Sequence, residues 1–382
     1  MHFSHTIRFT AVCLITPFGP LLWSGLAAQA TVVTVGGQPL SSEREGFVRV
    51  GSVVELPEDS LRVVVQDIGE RRIVVVNFRN GNRDQVGRQG DGPREYRNPG
   101  RLFPGTDGRP LFQDGRSGKL LRLVENGRGL DELPLDPRKF GSRPLLLGVD
   151  QAGRAVIRAD GLDGSFADSS AVLSWRPGDE QPAAFARLAS GMVTTATGAG
   201  GRVLQRGAVT PFAPAVAHVV LPTGSIAVVS SVPYQVSTIS PAGVRSAGPI
   251  FPWQPIPVTE AERVELAQAS ARRPQPQAAF GATSAELPRL PSEPIPTTKP
   301  PFSGPDPVRV APDGMIWVAK NRAADDPVPT YDLFNRDGVI TKVVRLPEER
   351  VLLGFGRGVL FLGRRDPATD LVYLERWPLP RR

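Results

Sequence analysis

Cysteine and histidine are almost missing from this chain: one and three residues out of 382. The single thiol, Cys13, lies inside an apolar N-terminal run, so a chain shortened past that run holds no thiol and forms no disulfide. His218 is the only histidine after residue 5, which rules out sites built on two imidazoles, the usual histidine-rich zinc sites among them. Cysteine–histidine catalysis goes with the thiol, and serine–histidine catalysis has little support because no Gly-x-Ser-x-Gly elbow occurs. Lysine is scarce as well, five of 45 basic residues, and acids are interspersed among the arginines along the whole length. Without a basic cluster beside aromatic platforms, nucleic acid is not an expected partner. Beyond the N-terminus no segment approaches the roughly 18 apolar residues that span a bilayer, so no stable membrane insertion is expected.

What is present begins with a three-part leader. Arg8 supplies the positive start, residues 9–26 form an apolar run broken by Pro17, Gly19 and Pro20, and Ala28-Gln29-Ala30 offers the small residues of a cleavage site. Residues 1–30 are therefore expected to be a signal peptide cleaved after Ala30, giving a periplasmic or secreted product. The prolines and the small-residue exit argue against an uncleaved anchor, and the placement of Cys13 ahead of most of the apolar run makes it a poor lipid-attachment site.

Residues 31–382 are long for one compact core, since single cores stop growing at about 250 to 300 residues. Repetition solves that problem. The chain holds 40 glycines and 39 prolines between short β-branched and aromatic runs, the composition of many strands joined by tight turns. Six copies of a strand–turn–strand unit appear at residues 53–66, 102–113, 146–158, 219–230, 308–319 and 352–362, turning at Asp-Gly or Gly in most copies, as at Asp107-Gly108 and Asp313-Gly314. A second hairpin follows in the first five copies, turning at Asn80-Gly81, Asn126-Gly127, Pro177-Gly178, Ala242-Gly243 and Asp337-Gly338. Two successive hairpins make a four-stranded meander, one blade of a propeller. The base period is close to the roughly 40 to 50 residues of known propeller repeats. The expected fold is all-β, a six-bladed β-propeller of four-stranded antiparallel blades spanning residues 31–382.

The last copy ends after its third strand, at residues 371–376, with no room for a fourth. Residues 31–50 are expected to supply that outer strand and so remove an exposed sheet edge. Two insertions, about 190–215 and 253–306, lengthen the connections after the third and fourth blades. The second should hold one short helix, because Thr259 and Glu262 form a capping box and Pro274 and Pro276 stop the run; residues 274–307 read as a proline-rich loop.

Between the first two blades stands Gly87-Arg88-Gln89-Gly90-Asp91-Gly92-Pro93-Arg94-Glu95-Tyr96, and residues 308–318 and 331–338 repeat a Val-x-Val-Ala-Pro-Asp-Gly core and a Tyr-Asp-Leu-Phe hairpin. In these stretches the chain resembles the bacterial six-bladed β-propeller family akin to NHL-repeat proteins, with its Gly-x-Gly-x-Gly-Pro-Gly-Glu-Phe-like signature. Arg94 and Tyr96 depart from it, standing where glycine and phenylalanine are usual. The resemblance covers the chain from residue 31 onward and implies fold rather than activity, because propellers host unrelated functions.

In such a ring the second-to-third-strand turns and the connections between blades share one face, and long loops on a rigid frame are where binding usually sits. That face is expected to engage a carbohydrate, peptide or protein, with Arg88, Asp91, Arg94 and Trp253 as the residues to watch and no catalytic or metal-binding residue assigned. The glycine-rich loop has the alternative reading of a tight crossing, with Tyr96 wedged between blades and Glu95 paired with an arginine. Asp67, Asp114, Asp160, Asp163, Asp168, Asp325, Asp326, Asp366 and Asp370 fall on the same face. A carboxylate ring of that kind is a donor set for calcium, but aspartate also favours turns, and no cofactor is expected. Two functions remain: a non-enzymatic binding or scaffold module, preferred, and a metal-dependent hydrolase or lyase of the lactonase-like propeller type, in which inward carboxylates hold one divalent ion over the channel.

Overall fold

The computed structural model describes residues 30–380 apart from 125–126, 128, 134, 142, 161–168, 190–193, 198–202, 207–210, 273–294 and 305. Expectations on residues 1–29, on Asp163 and Asp168, and on much of both insertions lie outside the described residues.

Six blades stand in a ring, and apart from two strands added by the N-terminal segment each is an antiparallel sheet whose strands follow chain order from the axis outward. The first blade shows why these residues form strands. Its innermost strand is Val50–Glu55, followed by Arg62–Asp67, Arg72–Asn77 and Asn82–Val86. The two central strands are nearly continuous runs of valine and isoleucine, as a sheet covered on both faces requires. Alternate residues look opposite ways: Val64, Ile73 and Val75 pack toward the second blade with Phe112, Leu121 and Leu123, while Val63, Val65, Val74 and Val76 pack toward the sixth with Leu353 and Phe361. Each of these side chains contributes on the order of 1.5–3 kcal/mol by leaving water. No blade could bury both faces alone, so the ring is the unit of stability.

The remaining innermost strands are Phe103–Pro104, Arg143–Val149, Val216–Val220, Val308–Val310 and Arg350–Gly356. At the hairpin turns glycine takes the left-handed backbone that other residues resist, as at Gly314 with φ of 84°. In the sixth blade a register shift between Leu352 and Gly354 bulges the innermost strand toward the first. A Cβ on Gly354 would lie 2.0 Å from the Val53 carbonyl oxygen, so only glycine permits this approach.

The N-terminal segment makes two additions. Ser41–Ser42 pairs antiparallel with Arg376 and Glu375 as the outer strand of the sixth blade, and Phe47, 2% exposed, bridges to Val372. Before it, Thr31–Thr34 runs parallel to Ile340–Arg345, a fifth strand on the fifth blade that the repeat pattern did not anticipate.

Helix is confined to connections. Glu260–Arg272 starts where expected: Glu262 Oε2 accepts from the Thr259 amide at 3.0 Å and Thr259 Oγ1 accepts from the Glu262 amide at 3.3 Å. A second, four-residue helix, Pro137–Phe140, was not expected from the repeat; Asp136 caps it and Phe140 meets Trp175 edge-on at 5.3 Å between the second and third blades. Among the described residues no helix is long and apolar enough to cross a membrane.

Candidate functional site: the central channel

The glycine-rich connection folds back on itself. Tyr96 is fully buried against Phe112, its hydroxyl donating to the Val86 carbonyl at 2.8 Å and accepting from the Ile73 amide at 3.0 Å. Glu95 accepts from the Gly92 amide at 2.9 Å and pairs with Arg88 at 2.9 Å. Its carboxylate fills the space beside Gly90, where a Cβ would lie 2.0 Å from Oε2. Asp91 forms a two-point pair with Arg97 at 2.9 and 2.8 Å, and Lys119 donates to the Asp91 and Gly92 carbonyls at 3.1 and 2.7 Å. Arg94 sits at φ of 62°, a left-handed position that suits the glycine usual there. Arg88, Asp91 and Arg94 thus share one loop, and the Gly92 amide, a donor suited to an anion, is taken by Glu95.

Trp253 lies elsewhere, at the junction of the fourth and fifth blades, across the ring from that loop. Its indole nitrogen donates to the Lys299 carbonyl at 3.2 Å, its ring meets Tyr234, and the Lys320 ammonium stands 5.5 Å from its centroid. Two aspartates of the face are likewise engaged locally. Asp114 accepts from the Arg97, Asn98 and Ser117 amides and from Ser117 Oγ. Burial pushes its carboxyl up, but those hydrogen bonds outweigh burial and hold it below the usual range. Asp67 accepts from the Glu70 amide and pairs with Arg72 at 3.1 Å.

A different feature is concave. The six innermost strands enclose a channel with a cavity of about 490 Å³, walled by Val54, Leu147, Val149, Val310, Leu353 and Phe355 among others. Polar groups meet it at its two ends. At the hairpin-turn end Glu55 pairs with Arg357 at 2.6 Å, and Asp150 accepts from Arg154 Nε at 2.7 Å and from its amide at 2.8 Å. Both acids are nearly buried, with side-chain exposures of 7% and 1%.

At the other end two guanidinium groups reach across the axis. Arg309, in the innermost strand of the fifth blade, donates from Nη2 to the Gly51 carbonyl of the first blade at 2.8 Å. Arg101, entering the second blade, stands 3.8 Å from Asp306, which precedes the fifth blade on the opposite side of the ring. Desolvation lowers the Arg309 pKa to about 10, with Arg101 adding to the effect, and burial lowers Arg101 too. A guanidinium does not lose its proton in proteins, so both are cations at neutral pH. Nearby, burial raises the Tyr331 hydroxyl, which accepts from the Leu352 amide at 3.1 Å.

No motif in the sequence marks out either arginine. Arg309 stands between Val308 and Val310 on an innermost strand, so a charge amid strand apolars was the available signal. What it lacked was the ring geometry that brings Arg101 and Arg309, more than two hundred positions apart, to one end of one channel. His218, by contrast, is structural in setting: it lies in Val216–Val220, and burial, with Arg158 adding, lowers its pKa to about 4.

No protein-family profile matches the chain, and no curated protein matches it by sequence. Solved structures do match in shape. A member of the duf4221 family from Bacteroides vulgatus aligns with TM-score 0.45 at 8% identity, covering 91% of this chain and 98% of its own. Virginiamycin B lyase from Staphylococcus aureus aligns at 0.40 and 11% identity, covering 90% and 99%. Regucalcin from Agrobacterium tumefaciens, a calcium-binding protein, aligns at 0.39 and 13% identity, covering 92% and 100%.

Proposed function

We propose that this protein is a ligand-binding propeller whose site is the central channel, entered from the hairpin-turn end. The observation carrying the reading is the cavity of about 490 Å³ bounded by all six innermost strands, apolar along its walls and polar only at its ends. Small-molecule sites are clefts of roughly 300–1,000 Å³ with this division between apolar lining and a few placed polar groups. Binding is favoured over hydrolysis or lyase chemistry because the two acids lining the channel, Glu55 and Asp150, are each held by an arginine. If residues 1–30 direct export, the ligand is met in the periplasm or outside the cell. This reading moves the expected binding surface to the face opposite Arg88, Asp91, Arg94 and Trp253.

A neutral apolar probe tests it. In calorimetric titration 1-decanol should bind saturably at one site per chain, and Val310→Trp, which puts bulk into the channel, should abolish that binding. Arg88→Ala and Asp91→Ala, on the far face, should leave it unchanged. Binding that survives Val310→Trp and disappears with the far-face variants would refute the channel as the site.

A further inference from the structure

The proposed channel is apolar along its walls yet ends on two cations. Arg309 is 9% exposed and lines the cavity. A guanidinium carries five N–H donors, and among the described residues Arg309 directs one of them, Nη2, to a protein acceptor, the Gly51 carbonyl. Arg101 lines the same end. Among the described residues its one acidic neighbour, Asp306 Oδ1 at 3.8 Å, lies beyond hydrogen-bond distance, and its guanidinium rests 5.5 Å from the Phe103 ring centroid. Asp306 itself is turned largely to solvent, with 57% of its side chain exposed. Arg309, buried, and Arg101, with 24% of its side chain exposed, therefore have one largely exposed carboxylate near them among the described residues.

Burying a charge without partners is costly, and a structure retains such groups where something completes them. The planar donor fork of arginine fits a carboxylate in two-point contact, and that contact strengthens where water is excluded. The other end of the channel argues for orientation. Glu55 and Asp150 stand there with Arg357 and Arg154, so charge near the mouth is balanced in pairs while the inner end has donors to spare.

Resting on the channel-binding reading, we infer that the ligand is a small organic acid with an apolar body, which enters tail-outward and sets its carboxylate between Arg101 and Arg309. The valine and leucine walls take the hydrocarbon, and the two guanidinium groups take the head. Selectivity for an acid over its neutral analogue follows, because a hydroxyl carries no charge and offers one oxygen where a carboxylate offers two.

The experiment compares decanoate with 1-decanol on the full chain by calorimetric titration, at low ionic strength. Decanoate should bind at least roughly tenfold more tightly, as one charge-assisted contact provides. Arg101→Gln, a residue with no hydrogen bond to lose among the described contacts, and Arg309→Gln should each bring decanoate down toward decanol without weakening decanol. Arg88→Gln, on the far face and outside the channel, should leave the ratio unchanged. Arg101→Gln keeps the test decisive should Arg309→Gln fail to fold. If both probes bind equally and neither arginine variant alters their ratio, the anion assignment is overturned while channel binding stands. If neither probe binds at millimolar concentration, both fall.

Discussion

At the scale of single residues, the hydroxyl of Tyr96 does as much as its ring. The ring fills the seam between the first two blades, as its place in the glycine-rich motif suggests. The hydroxyl closes two backbone groups, Ile73 N–H and Val86 C=O, that a phenylalanine would leave to themselves. His218 is more sharply testable. Its pKa falls from 6.5 to about 4 because burial, with Arg158 adding, disfavours the charged ring. The folded protein thus declines a proton that the unfolded chain accepts, so the stability this creates is complete above pH ~6.5 and drains away as pH falls toward 4. Between pH 7 and pH 4 the parent should lose about 2–3 kcal/mol more than His218→Phe, by urea unfolding. Equal losses would show that His218 titrates normally. His218 stands in the middle of Val216–Val220, and its desolvation depends on the neighbouring blade.

At the scale of elements, local rules read well where the chain caps itself. Thr259 and Glu262 announce the start of Glu260–Arg272 in four residues of sequence, and the reciprocal hydrogen bonds are there. Its docking was not readable, because the partner comes from the far side of the insertion. Lys299, 3% exposed, pairs with Glu262 and donates to the Arg322 carbonyl at 2.7 Å, tying helix, insertion and fifth blade together. Glu262→Ala should therefore remove a cap and strand a buried ammonium at once, costing about 2 kcal/mol or more. Hydrogen exchange at residues 259–263 should accelerate; unchanged protection there would mean that the pair does not anchor the helix. The short helix Pro137–Phe140 escaped notice for a simple reason. Asp136-Pro137 is a sound helix start, yet four residues give no periodicity, and only the need to seat Phe140 beside Trp175 explains the turn.

At the scale of the whole molecule, each blade hides its faces only against its neighbours, and the ring is completed by strands from both ends of the chain. Ser41 and Ser42 cover the edge of Val372–Pro378, while Glu375, 2% exposed, collects Arg350 and Arg364 just inside that seam. A chain beginning at residue 48 would lack that cover and the buried Phe47. It should unfold at lower urea and associate with rising concentration through its bare edge, measured by unfolding curves and light scattering. A monomer as stable as the parent would show that closure does not need the N-terminal strand. The channel also belongs to this scale, since no single blade possesses it and its inner end needs residues from the first, second and fifth blades together.

The repeat, the blade count and the capped helix follow from residues close in sequence, because turns, alternation and caps are local physics. The channel's two guanidinium groups, the parallel strand Thr31–Thr34 and the lowered pKa of His218 were decided by tertiary structure alone. Each depends on groups that meet only when the ring closes, and no spacing along the chain records that meeting.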